Sequence, residues 1–188
     1  MKLFITGIPT GGKSYLSKRI EKDFGAKHIE LDDLREDLIA HPRYGKYVSF
    51  YYNKDEKTYL ENTSSEDKWK DLIKQSEGIW PALKEEIEKH NDKEELIIFE
   101  SVNLLPHLIQ RDFPDSKQMV LIGESLESTF DRNKKSPRWG DTEELQKLEA
   151  DNFFNVERSK YKEEAEKYNL PFFETIDDAL NYVINNLI

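Results

Sequence analysis

Two rhythms of apolar and polar residues share this chain. Five short runs, 2–6, 27–31, 95–100, 118–123 and 170–175, have the length and β-prone composition of strands. Between them apolar residues return every third or fourth position, as one face of a helix requires. Strands that alternate with helices predict parallel βαβ units and a sheet covered on both faces. Leu3-Phe4-Ile5, Leu96-Ile97-Ile98-Phe99 and Met119-Val120-Leu121-Ile122 are apolar at every position, which suits central parallel strands. The run at 27–31 alternates, and the last run carries Pro171, which cannot donate a ladder hydrogen bond; both read as edges. The pattern allows the strand order 2-3-1-4-5, with the first strand in the middle.

The connections are unequal. Asp32-Asp33-Leu34-Arg35 follows the second strand and opens a short helix that should end before Pro42. Positions 43–62 read as irregular and rich in tyrosine, with Arg43, Lys46 and Lys54 among the rings. Each tyrosine suits a small satellite core, while a long insertion at this point suits a lobe that binds an acceptor. From 65 to 90 one helix is expected, with Trp69, Leu72, Ile73, Ser76, Trp80, Leu83 and Ile87 along one face and Pro81 kinking or restarting it.

The first strand runs into Gly7-Ile8-Pro9-Thr10-Gly11-Gly12-Lys13-Ser14, the P-loop (Walker A) spacing of Gly, four residues, then Gly-Lys-Ser. Several backbone N–H groups can converge on one phosphate only where the chain curls without Cβ clashes. Gly7, Gly11 and Gly12 supply that freedom. The Lys13 ammonium reaches for the β- and γ-phosphates, and the Ser14 hydroxyl is a ligand for Mg²⁺. Thr10 and Tyr15 flank these groups, and Leu16, Ile20 and Phe24 continue as a helix whose positive end faces the phosphates. Strand, loop and helix in this order predict a site for ATP with Mg²⁺.

Composition narrows the partners. The chain has 188 residues, enough for one full core, with 28 Lys+Arg against 38 Asp+Glu and a formal net charge of -10. A polyanion is repelled unless the cations gather in one place, so nucleic acid is not an expected partner. With no cysteine there is neither a disulfide nor a thiolate chemistry. Met1-Lys2-Leu3 leads directly into the first strand, and no apolar run reaches membrane-spanning length, so a cytoplasmic protein with no membrane partner is expected. The histidines at 28, 41, 90 and 107 show no metal-ligand spacing.

The cations do gather once. Arg132, Lys134, Lys135 and Arg138 lie within seven residues after the fourth strand. They form either a lid that neutralises a transferring phosphoryl group or a solvated basic loop. Asp141 to Glu144 then reads as a capping box that opens a long helix containing Arg158, which faces either the phosphates or solvent. Asp32, at the carboxyl edge of the sheet, is the expected catalytic carboxylate, and Asp33 the expected helix cap. Arg35, three residues on from Asp32, is expected to bind an anionic acceptor, or else to pair with Asp32. Glu100, at the carboxyl end of a central strand, is counted with the substrate-binding groups, able to hold Mg²⁺ through water; the alternative is a helix-start carboxylate.

With these features together, the chain resembles the small P-loop kinases of the adenylate and shikimate kinase type. The resemblance spans nearly the whole chain. It implies a three-layer fold with a parallel sheet in order 2-3-1-4-5, an acceptor lobe at about 36–92 and a basic lid at about 130–141. Within that group, Ile97-Ile98-Phe99-Glu100-Ser101-Val102-Asn103-Leu104-Leu105-Pro106 looks like the third-strand stretch of 2-phosphoglycerate kinase-like proteins, where Gly usually follows the Glu. The resemblance implies catalytic roles for Lys13, Asp32, Arg132 and Arg138, and a metal role for Ser14. The function expected is transfer of the γ-phosphoryl group of ATP to a small-molecule acceptor. A toxin-like or antibiotic-modifying kinase, or a regulatory nucleotide switch, are the alternatives, though the chain lacks the Asn-Lys-x-Asp series that reads guanine.

Overall fold

A computed structural model of the protein describes residues 1–90 and 95–187. The elements are β1 (Lys2–Gly7), α1 (Lys13–Phe24), β2 (Lys27–Glu30), α2 (Leu31–Asp37), a 3-10 turn (Leu38–Ala40), α3 (Gly45–Tyr52), α4 (Glu56–Asn62) and α5 (Ser65–Lys89). They continue as β3 (Ile97–Glu100), α6 (Pro106–Asp112), β4 (Lys117–Leu121), α7 (Leu126–Lys135), α8 (Glu143–Asp151), a π turn (Asn152–Glu157), α9 (Arg158–Lys167), β5 (Phe172–Phe173) and α10 (Ile176–Asn186).

All five strands are parallel, in the order β2-β3-β1-β4-β5. Side chains alternate across a strand, and here they divide the interior into two cores. Leu3 and Ile5 of β1, Ile98 of β3 and Met119 and Leu121 of β4 pack under Leu16 and Ile20 of α1 and Ala179, Leu180 and Val183 of α10. On the other face Phe4, Phe99 and Val120 meet Trp80 and Leu83 of α5, Leu108 of α6 and Tyr161 of α9. The Phe4 and Phe99 rings stack at 5.5 Å. The edge strands β2 and β5 have no fully buried position. Register brings Glu100 level with Ile5, and Gly7 level with Leu121, so the carboxyl ends of β1, β3 and β4 open on one side.

Several boundaries differ from the sequence reading, each for a local reason. Leu31 leaves the second strand and is buried as the first residue of α2. The stretch read as irregular, 43–62, contains α3 and α4. Tyr44, Tyr47 and Val48 pack against the core beneath α5, and tertiary burial stabilises helices whose own propensity is weak. The Tyr47 ring lies directly on Gly78 of α5, where any Cβ would collide with it. Helix α5 passes through Pro81 as a single helix. Helix α8 is capped by Thr142, whose Oγ1 accepts from Leu145 N at 3.3 Å, and not by Asp141. Nor does Asp33 cap α2: the N-cap is Glu30, without a side-chain bond, and Asp33 is the third helical residue. The end of the expected acceptor insertion, 91–92, lies outside the described residues.

Candidate functional site

The loop after β1 is held open by its backbone. Gly7 has φ +129, and a Cβ there would collide with the Leu121 carbonyl oxygen; Gly12 has φ +98, where a Cβ would meet Ile176 at 2.7 Å. No L side chain fits either position without strain. The first hydrogen bond of α1 runs from Leu16 N to Gly12 O, which leaves the N–H groups of Lys13, Ser14 and Tyr15 without intrahelical acceptors. Those donors, at the positive end of a twelve-residue helix, suit a phosphate. Lys13 is buried and its Nζ donates to Gly7 O at 3.1 Å and Ile8 O at 2.9 Å. Burial lowers its pKa, and the charges of Glu100 and Asp32 oppose that fall.

Arg132 extends from α7 to the same loop, its Nη1 donating to Thr10 O at 3.1 Å. Arg138, on the segment between α7 and α8, is exposed and close enough for its charge to act on Lys13. Pro9, Thr10, Gly12, Lys13, Ser14 and Tyr15 line one cavity of about 420 Å³ together with Arg132 and Arg138. Gly7 and Gly11 shape the loop behind it. Arg158 turns elsewhere: it donates to Glu174 at 2.6 Å and to Gly123 O at 3.5 Å.

Asp32 and Arg35 line the same cavity from α2. A chain of polar contacts fixes them. Ser101 Oγ donates to Asp32 Oδ1 at 2.6 Å and accepts from Asn103 N at 3.0 Å. Arg35 Nη1 lies 3.5 Å from Asp32 Oδ1 and donates to Asn103 Oδ1 at 3.4 Å. Asn103 Nδ2 in turn donates to Gln75 at 3.0 Å and Ser76 at 2.9 Å on α5. Such a network locks the carboxylate because each partner is itself held. Ser101, which stands where the resembled proteins usually carry Gly, is thus the group that orients Asp32. Both contacts are made by Oδ1. Glu100 lies below, almost fully buried, with His28 Nε2 3.3 Å from its Oε1, and is not among the cavity-lining residues.

Sequence reasoning passed over several lining groups. Lys68 and Gln75 come from α5, Trp139 from the basic segment, Glu149 from α8, and Asn152, Phe153 and Glu157 from the π turn. A π turn adds a residue to the helix and pushes one wall outward, and such turns concentrate at functional sites. The visible signal was Gln75 beside Ser76 on the apolar stripe of α5, because polar groups placed in a core need partners. Tyr51, Tyr59 and Trp139 form a ring cluster with centroids 5.8 to 6.1 Å apart, which joins the tyrosine-rich segment to the basic one.

Two carboxyls here hold protons near neutrality. Glu157 is pushed up to about 7 by burial, against the pull of Lys13 and a bond from Asn152. Glu56 of α4 is pushed up to about 8 by burial and by its bond to, and repulsion from, Glu149. Glu149 already accepts from Gly140 N at 2.9 Å and Asn133 Nδ2 at 2.5 Å, so the carboxyl pair bonds only while one of them is protonated. An ordinary glutamate titrates near 4.5. The folded state therefore binds more protons than the unfolded one above that value, and stability is lost as pH rises through about 7 and about 8. We expect a melting temperature lower at pH 8 than at pH 5.5 by on the order of 3 °C or more, and a flatter profile in Glu56→Gln. A melting temperature that rises over this interval would remove the assignment.

No protein-family model matches the sequence, and no curated protein does. Solved structures do resemble it. Over all of this chain and 99% of its own, the M. mycoides deoxyadenosine kinase with bound dATP is similar at 21% identity and a TM-score of 0.54. A Thermus thermophilus protein is similar at 16% identity and a TM-score of 0.54, covering 98% of that chain. The shikimate kinase of Acinetobacter baumannii, in complex with shikimate, is similar at 11% identity and 0.53, covering 94%. Among the described residues no helix is long and apolar enough to cross a membrane. Taken with the loop after β1 and the strand order, these likenesses give the chain the fold of the P-loop kinases.

Proposed function

We propose that the protein is an ATP-dependent phosphotransferase acting on a hydroxyl group of a small molecule. One observation carries this: a single cavity joins the Lys13 loop and Arg132 to Asp32 and the tyrosine-rich segment, so a triphosphate and an acceptor can meet inside it. The neighbours of this fold that bind dATP and shikimate support the same reading. A switch that only hydrolyses nucleotide needs no second compartment of this size.

The chemistry follows from the groups present. The N–H groups at the start of α1 and the Lys13 ammonium hold the β- and γ-phosphates. The acceptor hydroxyl attacks the γ-phosphorus, its proton passing to Asp32 Oδ2, while the bond from that phosphorus to the bridging oxygen breaks and ADP departs. Arg132 and Arg138 neutralise charge on the equatorial oxygens. Among the described residues no cluster of three or more acidic or histidine side chains could cage a metal. Mg²⁺ would be held by the Ser14 hydroxyl in the cavity together with water and phosphate oxygens, and would supply charge neutralisation at the phosphates.

The test is the joint appearance of ADP and a phosphorylated product, by mass spectrometry, when Mg-ATP and a panel of hydroxyl compounds are supplied. ATP consumed at a rate no acceptor changes would refute the transfer reading. Arg138→Ala should lower kcat by roughly 10²-fold while changing KM for ATP far less, because the arginine acts where charge develops. A double Ala variant at 132 and 138 with wild-type kcat would leave the basic segment as solvated surface.

A further inference from the structure

Beyond the phosphate-binding groups, the cavity is defined by rings and by an unusual charge balance. Its acidic members there are Asp32, Glu36, Glu149 and Glu157, against Arg35 and Lys68. Arg35 is paired with a carboxylate, while Lys68 is tethered to a neutral carbonyl. Arg35 faces Asp32 and Asn103, and Lys68 Nζ donates to Leu60 O at 2.6 Å. An anionic acceptor entering this compartment would meet the carboxylates of Asp32, Glu36 and Glu149, with Glu157 beside them, against only two cations, and like charges brought together out of water repel. Arg132 is turned to the phosphate loop, and the charge of Arg138 acts on Lys13 there.

The walls are flat and apolar. Tyr51, Tyr59 and Trp139 present ring surfaces, with Phe153, Leu60 and Leu72 beside them. Aromatic walls of this kind favour an unsaturated ring, which they meet edge-on or stacked. One polar group stands among them on the π turn. Asn152 Nδ2 donates to Glu157 Oε1 at 3.0 Å, and among the described residues Oε2 has no partner.

We infer that the acceptor is an uncharged hydroxyl compound carrying a flat unsaturated ring, its ring against the cavity side of the Tyr51, Tyr59 and Trp139 cluster and a polar edge on Glu157. This rests on the phosphotransferase reading and narrows it. Glu157 is then a specificity-determining residue, since a ligand without a matching polar edge covers this carboxyl and leaves it unpaired. Its proton near neutrality lets it donate as well as accept, which an ionised carboxylate cannot do.

The experiment uses the full chain with Mg-ATP and two acceptor sets. One set contains ribo- and deoxyribonucleosides and aryl glycosides, which are uncharged and carry a ring. The other contains shikimate, glycerate and 2-phosphoglycerate, which are anionic. Products are read by mass spectrometry, and ATP binding is measured separately by equilibrium titration. Phosphorylated product is expected from the first set only. In Glu157→Leu, which keeps the volume and removes both polar atoms, KM for the best uncharged acceptor should rise roughly 10-fold or more, with a smaller change in KM for ATP, and Glu157→Gln should restore much of the loss. Product from the anionic set, or bound ATP with no product from the uncharged set, overturns the inference while leaving the nucleotide site intact. Absence of ATP binding overturns the phosphotransferase reading and this inference with it.

Discussion

Lys13→Ala should abolish phosphoryl transfer and weaken ATP binding by roughly 10²-fold, the effect of losing charge-assisted hydrogen bonds to phosphate. The position makes the loss large. Lys13 is buried at the start of α1, where the charges of Glu100, Asp32 and Glu157 all act on it. Removing it leaves a pocket of carboxyls facing the triphosphate. In the ligand-free protein the ammonium bridges the Gly7 and Ile8 carbonyls, so the variant also loses a clasp on the loop. Thermal unfolding of the variant separates the two effects, because a folded protein that no longer binds ATP has lost the phosphate contact. Unchanged affinity and turnover would end the P-loop assignment.

Asp32→Asn should lower transfer by roughly 10²-fold or more with ATP affinity nearly intact. The substitution preserves shape: an amide oxygen can still accept from Ser101, as Asp32 Oδ1 does at 2.6 Å. What disappears is a carboxylate able to take the acceptor's proton. Single-turnover rates and ATP titrations read the two quantities independently. If Asp33→Asn abolishes transfer and Asp32→Asn does not, the base lies one residue further on. Asp33 has no part in the Ser101 and Asn103 network, and it gives α2 no cap in compensation.

How much of this was written in the chain depends on the range of the interactions involved. The P-loop is local, since its glycines, lysine and serine are consecutive and the conformation they need is a property of the backbone itself. The unbroken apolar runs at 3–5, 96–99 and 119–122 marked the buried strands, because a parallel strand covered by helices has no polar side. The alternating and proline-bearing runs marked the edges for the converse reason. Strand and helix alternation was therefore legible in the chain, the pattern allowed the strand order that the fold adopts, and Lys13, Ser14, Asp32, Arg132 and Arg138 could be named as candidates.

The compartment beyond the phosphates was decided only by the tertiary structure. Residues 43–62 carry no helical period strong enough to read, and they become α3 and α4 because Tyr44, Tyr47 and Val48 find a surface on α5. The π turn has no sequence signature here, yet it lines the cavity with Asn152, Phe153 and Glu157. Ser101 could be seen as a departure from the resembled family, but that it grips Asp32 depends on two segments 69 positions apart meeting across the sheet edge. The upward shift of Glu56, from burial and from the neighbouring Glu149, likewise arises only because α4 packs on α8. Backbone conformation and burial periodicity are short-range and can be read along a chain, whereas the pairing of polar groups is set by which surfaces the fold brings together.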